Sequence, residues 1–227
     1  MRQHNIQLDS LNIIHTHIQN HSPHPNKVNI IAVTKKFNHT AIISALSNHI
    51  TCIGENQVQE FLIKKNHLLD YQFESHLIGH LQSNKINQAI DLFDVIETVD
   101  STKLANKINT KSKQKEQIQK VYIQINIGND SKKHGFNTKK LFSKVEEIAK
   151  LKYVSLIGVM TILPFLKKPQ DTQKLYSQTR KIYTKIQQDI VPTCLNLSMG
   201  MTRDYIYALQ EGATHIRLGT KLYGPRD

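Results

Sequence analysis

Lys35 stands directly after the apolar run 28–34 (VNIIAVT), where a cation is either an ordinary surface residue or a reagent. Burial disfavours the ammonium form, lowers the pKa and makes the amine nucleophilic, which is what an imine with an aldehyde requires. Lys36 is adjacent, and strand alternation lets only one of the two face inward; parity alone does not say which. Far along the chain, two glycine-bearing segments, 197–203 (LSMGMTR) and 216–221 (IRLGTK), are built like backbone cups that hold phosphate. In the first, the Ser198 hydroxyl is a further donor beside Gly200; the second offers Gly219 and Thr220. The first also reads as a plain strand-to-helix connection with Thr202 as N-cap. Arg217 is a permanent charge within a short strand; it either pairs with a nearby carboxylate or donates to an acceptor such as a ring nitrogen. An imine-forming amine together with two phosphate cups suggests a phosphorylated aldehyde, and pyridoxal phosphate (PLP) is the leading candidate.

Such residues need a scaffold that brings distant segments to one surface. A leading amphipathic helix is expected over 5–19, followed by a loop with Pro23 and Pro25. Short apolar, β-rich runs then recur at 28–34, 50–54, 75–79, 95–100, 120–127, 154–160, 195–199 and 215–218. Polar stretches of helical period separate them, at 39–48, 56–69, 83–92, 101–109, 138–150, 171–189 and 203–211. The alternation predicts a parallel α/β fold, and eight strands are the number of a closed (β/α)8 TIM barrel with an extra N-terminal helix; the rival is an open doubly wound sheet. Residues 111–118 (KSKQKEQI) read as a charged loop or frayed helix end.

The placement of the polar residues favours the barrel. Lys35 follows strand 1, Glu55 and Asn56 strand 2, Gly79 and His80 strand 3, and Asp100 closes strand 4. Asn126, Thr161, Ser198 and Arg217 fall at the ends of the last four. All converge on the C-terminal ends of the strands, where barrel sites are built, and phosphate is often held after strands 7 and 8. His80 and Asp100 are candidate acid/base groups, although His80 before LQSNK equally opens a helix. Met160, Met199 and Met201 read as packing.

Composition narrows the classes. Thirty Lys and Arg against 18 Asp and Glu give a net charge of +12, but the lysines are spread along the chain and there is no tryptophan, so no nucleic-acid partner is expected. Cys52 and Cys194 form no CxxC and are expected as buried, reduced thiols; the 12 histidines show no HExxH, so no metal site is predicted. No segment is long and apolar enough to span a membrane and no signal-peptide core is visible, which predicts a soluble, cytoplasmic protein.

Seven ordered motifs carry a specific resemblance: 31–37 (IAVTKKF), 54–61 (GENQVQEF), 76–86 (HLIGHLQSNKI), 123–137 (IQINIGNDSKKHGFN), 158–163 (GVMTIL), 197–205 (LSMGMTRDY) and 211–225 (EGATHIRLGTKLYGP). In this order the chain resembles the pyridoxal phosphate homeostasis proteins, the YggS/PROSC family, over nearly its whole length. The resemblance implies a single PLP-binding barrel domain over 1–227, similar to the N-terminal domain of alanine racemase. It implies that Lys35 carries PLP as a lysine aldimine, that Ser198, Gly200, Gly219 and Thr220 surround the phosphate, that Arg217 faces the pyridine nitrogen, and that Asn56 lies near the ring. Thr34, Lys36 and Gln57 depart from the usual serine, threonine and tyrosine; Lys36 is thereby a second attachment candidate, though the motif favours Lys35.

An arginine opposite the ring nitrogen disfavours its protonation and weakens the ring as an electron sink. Racemisation tolerates that arrangement but needs a base on each face. In the related racemases the second base is a tyrosine from a separate C-terminal domain, for which a chain stopping at Asp227 leaves no room. A non-catalytic PLP carrier in vitamin B6 homeostasis is therefore expected, monomeric, with PLP-dependent apoenzymes as candidate recipients. A weak racemase, a Schiff-base aldolase and a basic RNA-binding module are the alternatives.

Overall fold

The computed structural model describes residues 4–130 and 133–225. Short runs of Ile, Val and Ala, buried on both faces, form the strands: β1 (Asn29–Val33), β2 (Cys52–Glu55), β3 (Glu74–Leu77), β4 (Val95–Val99), β5 (Gln119–Ile125), β6 (Val154–Thr161), β7 (Asn196–Ser198) and β8 (His215–Leu218). All pair in parallel in sequence order, and β8 returns to β1, so the sheet is a closed barrel. The open-sheet alternative is thereby set aside.

The helices are α1 (Leu8–His21), α2 (His39–Ser47), α3 (Val58–Lys65), α4 (Ile86–Leu92), α5 (Thr102–Gln114), α6 (Leu141–Ala149), α7 (Pro169–Asp189), α8 (Tyr205–Gln210) and α9 (Thr220–Tyr223). Each buries one face, and the main core fills the shell between helices and strands. Inside the barrel a smaller apolar cluster of Val95, Tyr122 and Met160 plugs the interior, and polar side chains occupy the remaining space. α1 packs Leu11, Ile14 and Ile18 inward against α8 and α9, and His17 Nδ1 lies 2.6 Å from the Tyr205 hydroxyl.

Three details differ from expectation. The charged segment 111–118 is helical as far as Gln114, because Ser112 continues the buried stripe of Leu104, Ala105 and Ile108 and the lysines suit a helix C-terminus. β3 stops at Leu77, so Gly79 and His80 lie in the loop beyond it. The short α9 after Gly219 carried no periodic signal. Cys52 and Cys194 are free and buried, and burial pushes the Cys194 thiol up to about 12. Among the described residues, no helix is long and apolar enough to cross a membrane.

Candidate functional site

Barrel register brings the ends of the chain's motifs together. Val33 pairs with Gly54 and Ala32 with Leu218, so the residues just beyond, Lys35, Asn56, Gly219 and Thr220, emerge side by side. They line a cavity of about 680 Å³ at the C-terminal mouth, together with Arg217, His80, Gln124, Lys133 and the turn Met201–Asp204.

The direction of Lys35 is set by the backbone of its neighbour. Lys36 takes a left-handed conformation (φ 65°), and its amide donates to Glu60. This turn sends Lys36 to the exposed surface and leaves Lys35 half-buried in the cavity wall. Strand parity could not settle the choice because the strand has ended before either lysine. Beneath the turn, Lys64 Nζ donates to the Thr34 carbonyl (2.8 Å), Glu55 (2.6 Å) and Glu60 (2.7 Å). The Thr34 hydroxyl donates to the same Glu55 oxygen at 2.6 Å. Burial pushes the Glu55 carboxyl up despite Lys64, and its second oxygen has no partner among the described residues. This buried knot fixes the strand end that carries Lys35.

Arg217 is the visible end of a second buried network. Its Nη1 donates to Ser198 Oγ (2.6 Å) and its Nη2 to the Thr161 carbonyl (2.7 Å). The Ser198 hydroxyl donates in turn to Glu97 Oε2 at 2.6 Å, and Glu97 Oε1 lies 2.8 Å from His76 Nδ1. The other His76 nitrogen reaches Glu74 at 3.2 Å. Burial opposes the Glu97 carboxylate, yet His76, Arg217 and Ser198 together hold it below the usual range. Burial also opposes the His76 cation, but contacts with Cys52, Glu74 and Glu97 raise it well above its ordinary value. Ser198, the Thr161 carbonyl and, through Ser198, the Glu97 carboxylate thus hold the guanidinium plane in place.

Lys35, Asn56, Arg217, Gly219 and Thr220 are brought into one cavity wall. Ser198 and Gly200 lie behind it. The Ser198 side chain is fully buried and engaged by Arg217 and Glu97. Gly200 shapes the wall from the rear: at φ +90° an added Cβ would sit 2.6 Å from Ala208 Cβ and 3.0 Å from Tyr205 Cα. Its carbonyl accepts from the Arg217 amide (3.0 Å), which ties the 201–204 turn to β8. Thr202 is no N-cap, since α8 begins at Tyr205 and the Asp204 carboxylate instead accepts from the Met201 amide at 2.6 Å. Gly79 is required by close approach, as a Cβ there would meet the Asn56 carbonyl at 2.1 Å. His80 and Asp100 stand near one another with His134, the two histidines stacked at the cavity rim.

Sequence reasoning missed Glu97, His76 and Lys64. Glu97 inside the apolar run VIETV was the available signal, because a carboxylate in a strand buried on both faces demands partners.

Residues 6–227 match the profile of the alanine racemase N-terminal domain family. The pyridoxal phosphate homeostasis protein of Aquifex aeolicus is 36% identical over 173 residues, 76% of this chain and 76% of that protein. The protein of the same description from Haemophilus influenzae is 30% identical over 228 residues, 99% of this chain and 96% of its own length. The structure of PipY from Synechococcus elongatus, solved with PLP bound, superposes with a TM-score of 0.84 at 33% identity and covers 95% of this chain and 99% of that one. The chain belongs to the pyridoxal phosphate homeostasis protein family.

Proposed function

We propose that this chain binds PLP in the barrel-mouth cavity, attaches it covalently at Lys35, and serves PLP homeostasis without a dedicated catalytic cycle. PLP supplies an aldehyde that condenses with a primary amine, a phosphate and a pyridine ring. The donor set fits those three demands. Lys35 offers the amine, Thr220 and the Gly219 turn offer donors toward a phosphate with Arg203 nearby, and Arg217 offers a fixed guanidinium toward a ring. A cavity of about 680 Å³ lies within the range of small-molecule sites. The observation that carries the proposal is the convergence of Lys35, Arg217, Gly219 and Thr220 on one wall while Lys36 turns away.

In this proposal Asn56 contacts the ring, and Ser198 and Gly200 belong to the site from behind, Ser198 by holding Arg217 and Gly200 by shaping the turn. Arg217 presents a guanidinium with donors and no acceptor, so a second positive charge brought beside it is disfavoured. This supports a carrier over chemistry that needs a protonated ring as electron sink. Residues 1–227 act as one PLP-binding domain, and one copy supplies every residue named, so a monomer suffices. The two free thiols suit a reducing, cytoplasmic setting, and PLP-dependent apoenzymes are the proposed recipients.

Titration of the protein with PLP, followed by visible absorbance, tests the reading. A new band in wild type and in Lys36→Ala, lost in Lys35→Ala, is expected; a band that survives in Lys35→Ala overturns it. Incubation of the loaded protein with L-alanine should leave its configuration unchanged, and turnover to D-alanine would establish an enzyme instead.

A further inference from the structure

The loops after β3, β4 and β5 bring His80, Asp100 and His134 together at the barrel mouth. Asp100 Oδ2 lies 3.5 Å from His80 Nδ1 and 3.4 Å from His134 Nδ1, and one ligand atom from each of the three residues lies within 4.8 Å of the others. Both separations exceed the roughly 2.7–3.2 Å of a ring-nitrogen hydrogen bond to a carboxylate, and suit either ion pairs or ligands that share one ion. With metal–ligand bonds of about 2.0–2.1 Å, two ligand atoms of one tetrahedral ion lie about 3.4 Å apart.

The ligands are also held from behind. Asp100 Oδ1 accepts from the Ser101 hydroxyl (3.0 Å), which leaves Oδ2 directed at the two imidazoles. Ser101 is itself fixed, because its oxygen accepts from the Leu104 amide as the cap of α5. The His134 carbonyl accepts from Gln124 Nε2 (3.0 Å), and two residues on Phe136 bridges to Ile125 of β5. The rings themselves are 42% and 56% exposed, with room to turn. They stack 3.7 Å apart at 12°, and coordination needs them to tilt open so that both lone pairs converge.

We propose that His80, Asp100 and His134 form a binding site for a tetrahedral divalent transition ion of the zinc class, with water as the fourth ligand. Two imidazoles and one carboxylate are the donors such ions favour, whereas magnesium and calcium select oxygen ligands. The site shares the cavity rim with Lys35, but nothing in its geometry depends on PLP. The composition gave no hint of it, since the three residues are separated in sequence by 20 and 34 positions with no ligand spacing.

Titration of the full-length protein with Zn²⁺, and with Co²⁺ monitored by visible absorbance, tests the proposal. One equivalent of ion and the intense Co²⁺ spectrum of a four-coordinate site are expected, in the presence or absence of PLP. Removal of a supporting group typically weakens an ion by about 10–100-fold, so Ser101→Ala should fall in that range and His80→Ala or His134→Ala beyond it. The stacked pair His39 and His67 serves as the control, and His39→Ala should bind like wild type. Unchanged affinity in His134→Ala, or an octahedral Co²⁺ spectrum, would overturn the assignment, as would no binding in the wild type. His80 and His134 are surface residues, so circular dichroism of these variants should match wild type and separate a lost ligand from a lost fold.

Discussion

Replacement of Glu97 by glutamine removes the anion that links His76 to Arg217 by way of Ser198 inside the barrel, while keeping the side chain's shape. The Arg217 guanidinium then loses the counter-ion it reaches through Ser198. His76 can respond by releasing its proton, which relieves part of the strain. Breaking a buried pair by removing one partner costs about 3–5 kcal/mol, and the relief at His76 puts the expected loss near 3 kcal/mol. For a chain of this size each kcal/mol lowers Tm by roughly 2–4 °C, so a fall of about 6–12 °C is expected. Calorimetry or circular dichroism from pH 4 to 9 reads both the size and the pH signature.

His76 is raised well above its ordinary value of 6.5, so its contribution is complete below that pH and is lost as pH climbs through the folded value. Glu97 is lowered from 4.5, so its contribution is present above that pH and is lost as pH falls through the folded value. Between these limits wild type and Glu97→Gln should differ most, and the variant's alkaline loss should begin at lower pH. A Tm within about 2 °C of wild type, with an unshifted alkaline limb, would refute the proposed coupling of Arg217 and His76 through Glu97.

Packing and burial lead to two further expected outcomes. Burial holds His215 at about 4, below its ordinary 6.5, so its contribution to stability is present above that pH and is lost as pH falls toward the folded value. That amounts to about 3 kcal/mol, and His215→Gln should flatten the acid limb of a chemical-denaturation series between those pH values. Gly200→Ala puts a Cβ against Ala208 and the Tyr205 backbone at a positive φ, so a loss of at least about 2 kcal/mol is expected, with weaker PLP binding as the 201–204 turn shifts. Retained stability and retained PLP affinity in this variant would remove Gly200 from the site.

The barrel was legible because alternating apolar runs and amphipathic stretches leave few ways to bury eight strands on both faces. Strand ends were less so. β3 stops at Leu77 although the apolar run continues to Gly79, since pairing with β4 involves only His76 and Leu77. The cavity residues Lys35, Asn56, Arg217, Gly219 and Thr220 were readable from motif order, and the register of β1 with β2 and β8 explains their meeting. Which lysine faces inward was readable from the motif but not from strand parity, because it depends on a left-handed residue at Lys36 that no propensity favours. Nor was the role of Ser198, whose hydroxyl faces Glu97 across 101 positions of sequence. Contacts of that range depend on closure of the barrel, which local pattern does not encode.

The central claim is that Lys35, and not Lys36, carries PLP. It is tested most directly by loading the full-length protein with PLP, reducing it with borohydride, and mapping the added mass by peptide sequencing. The phosphopyridoxyl group is expected on Lys35, with no label on Lys36 and none in Lys35→Ala. Label on Lys36, or equal labelling of several surface lysines with Lys35→Ala unaffected, would contradict it.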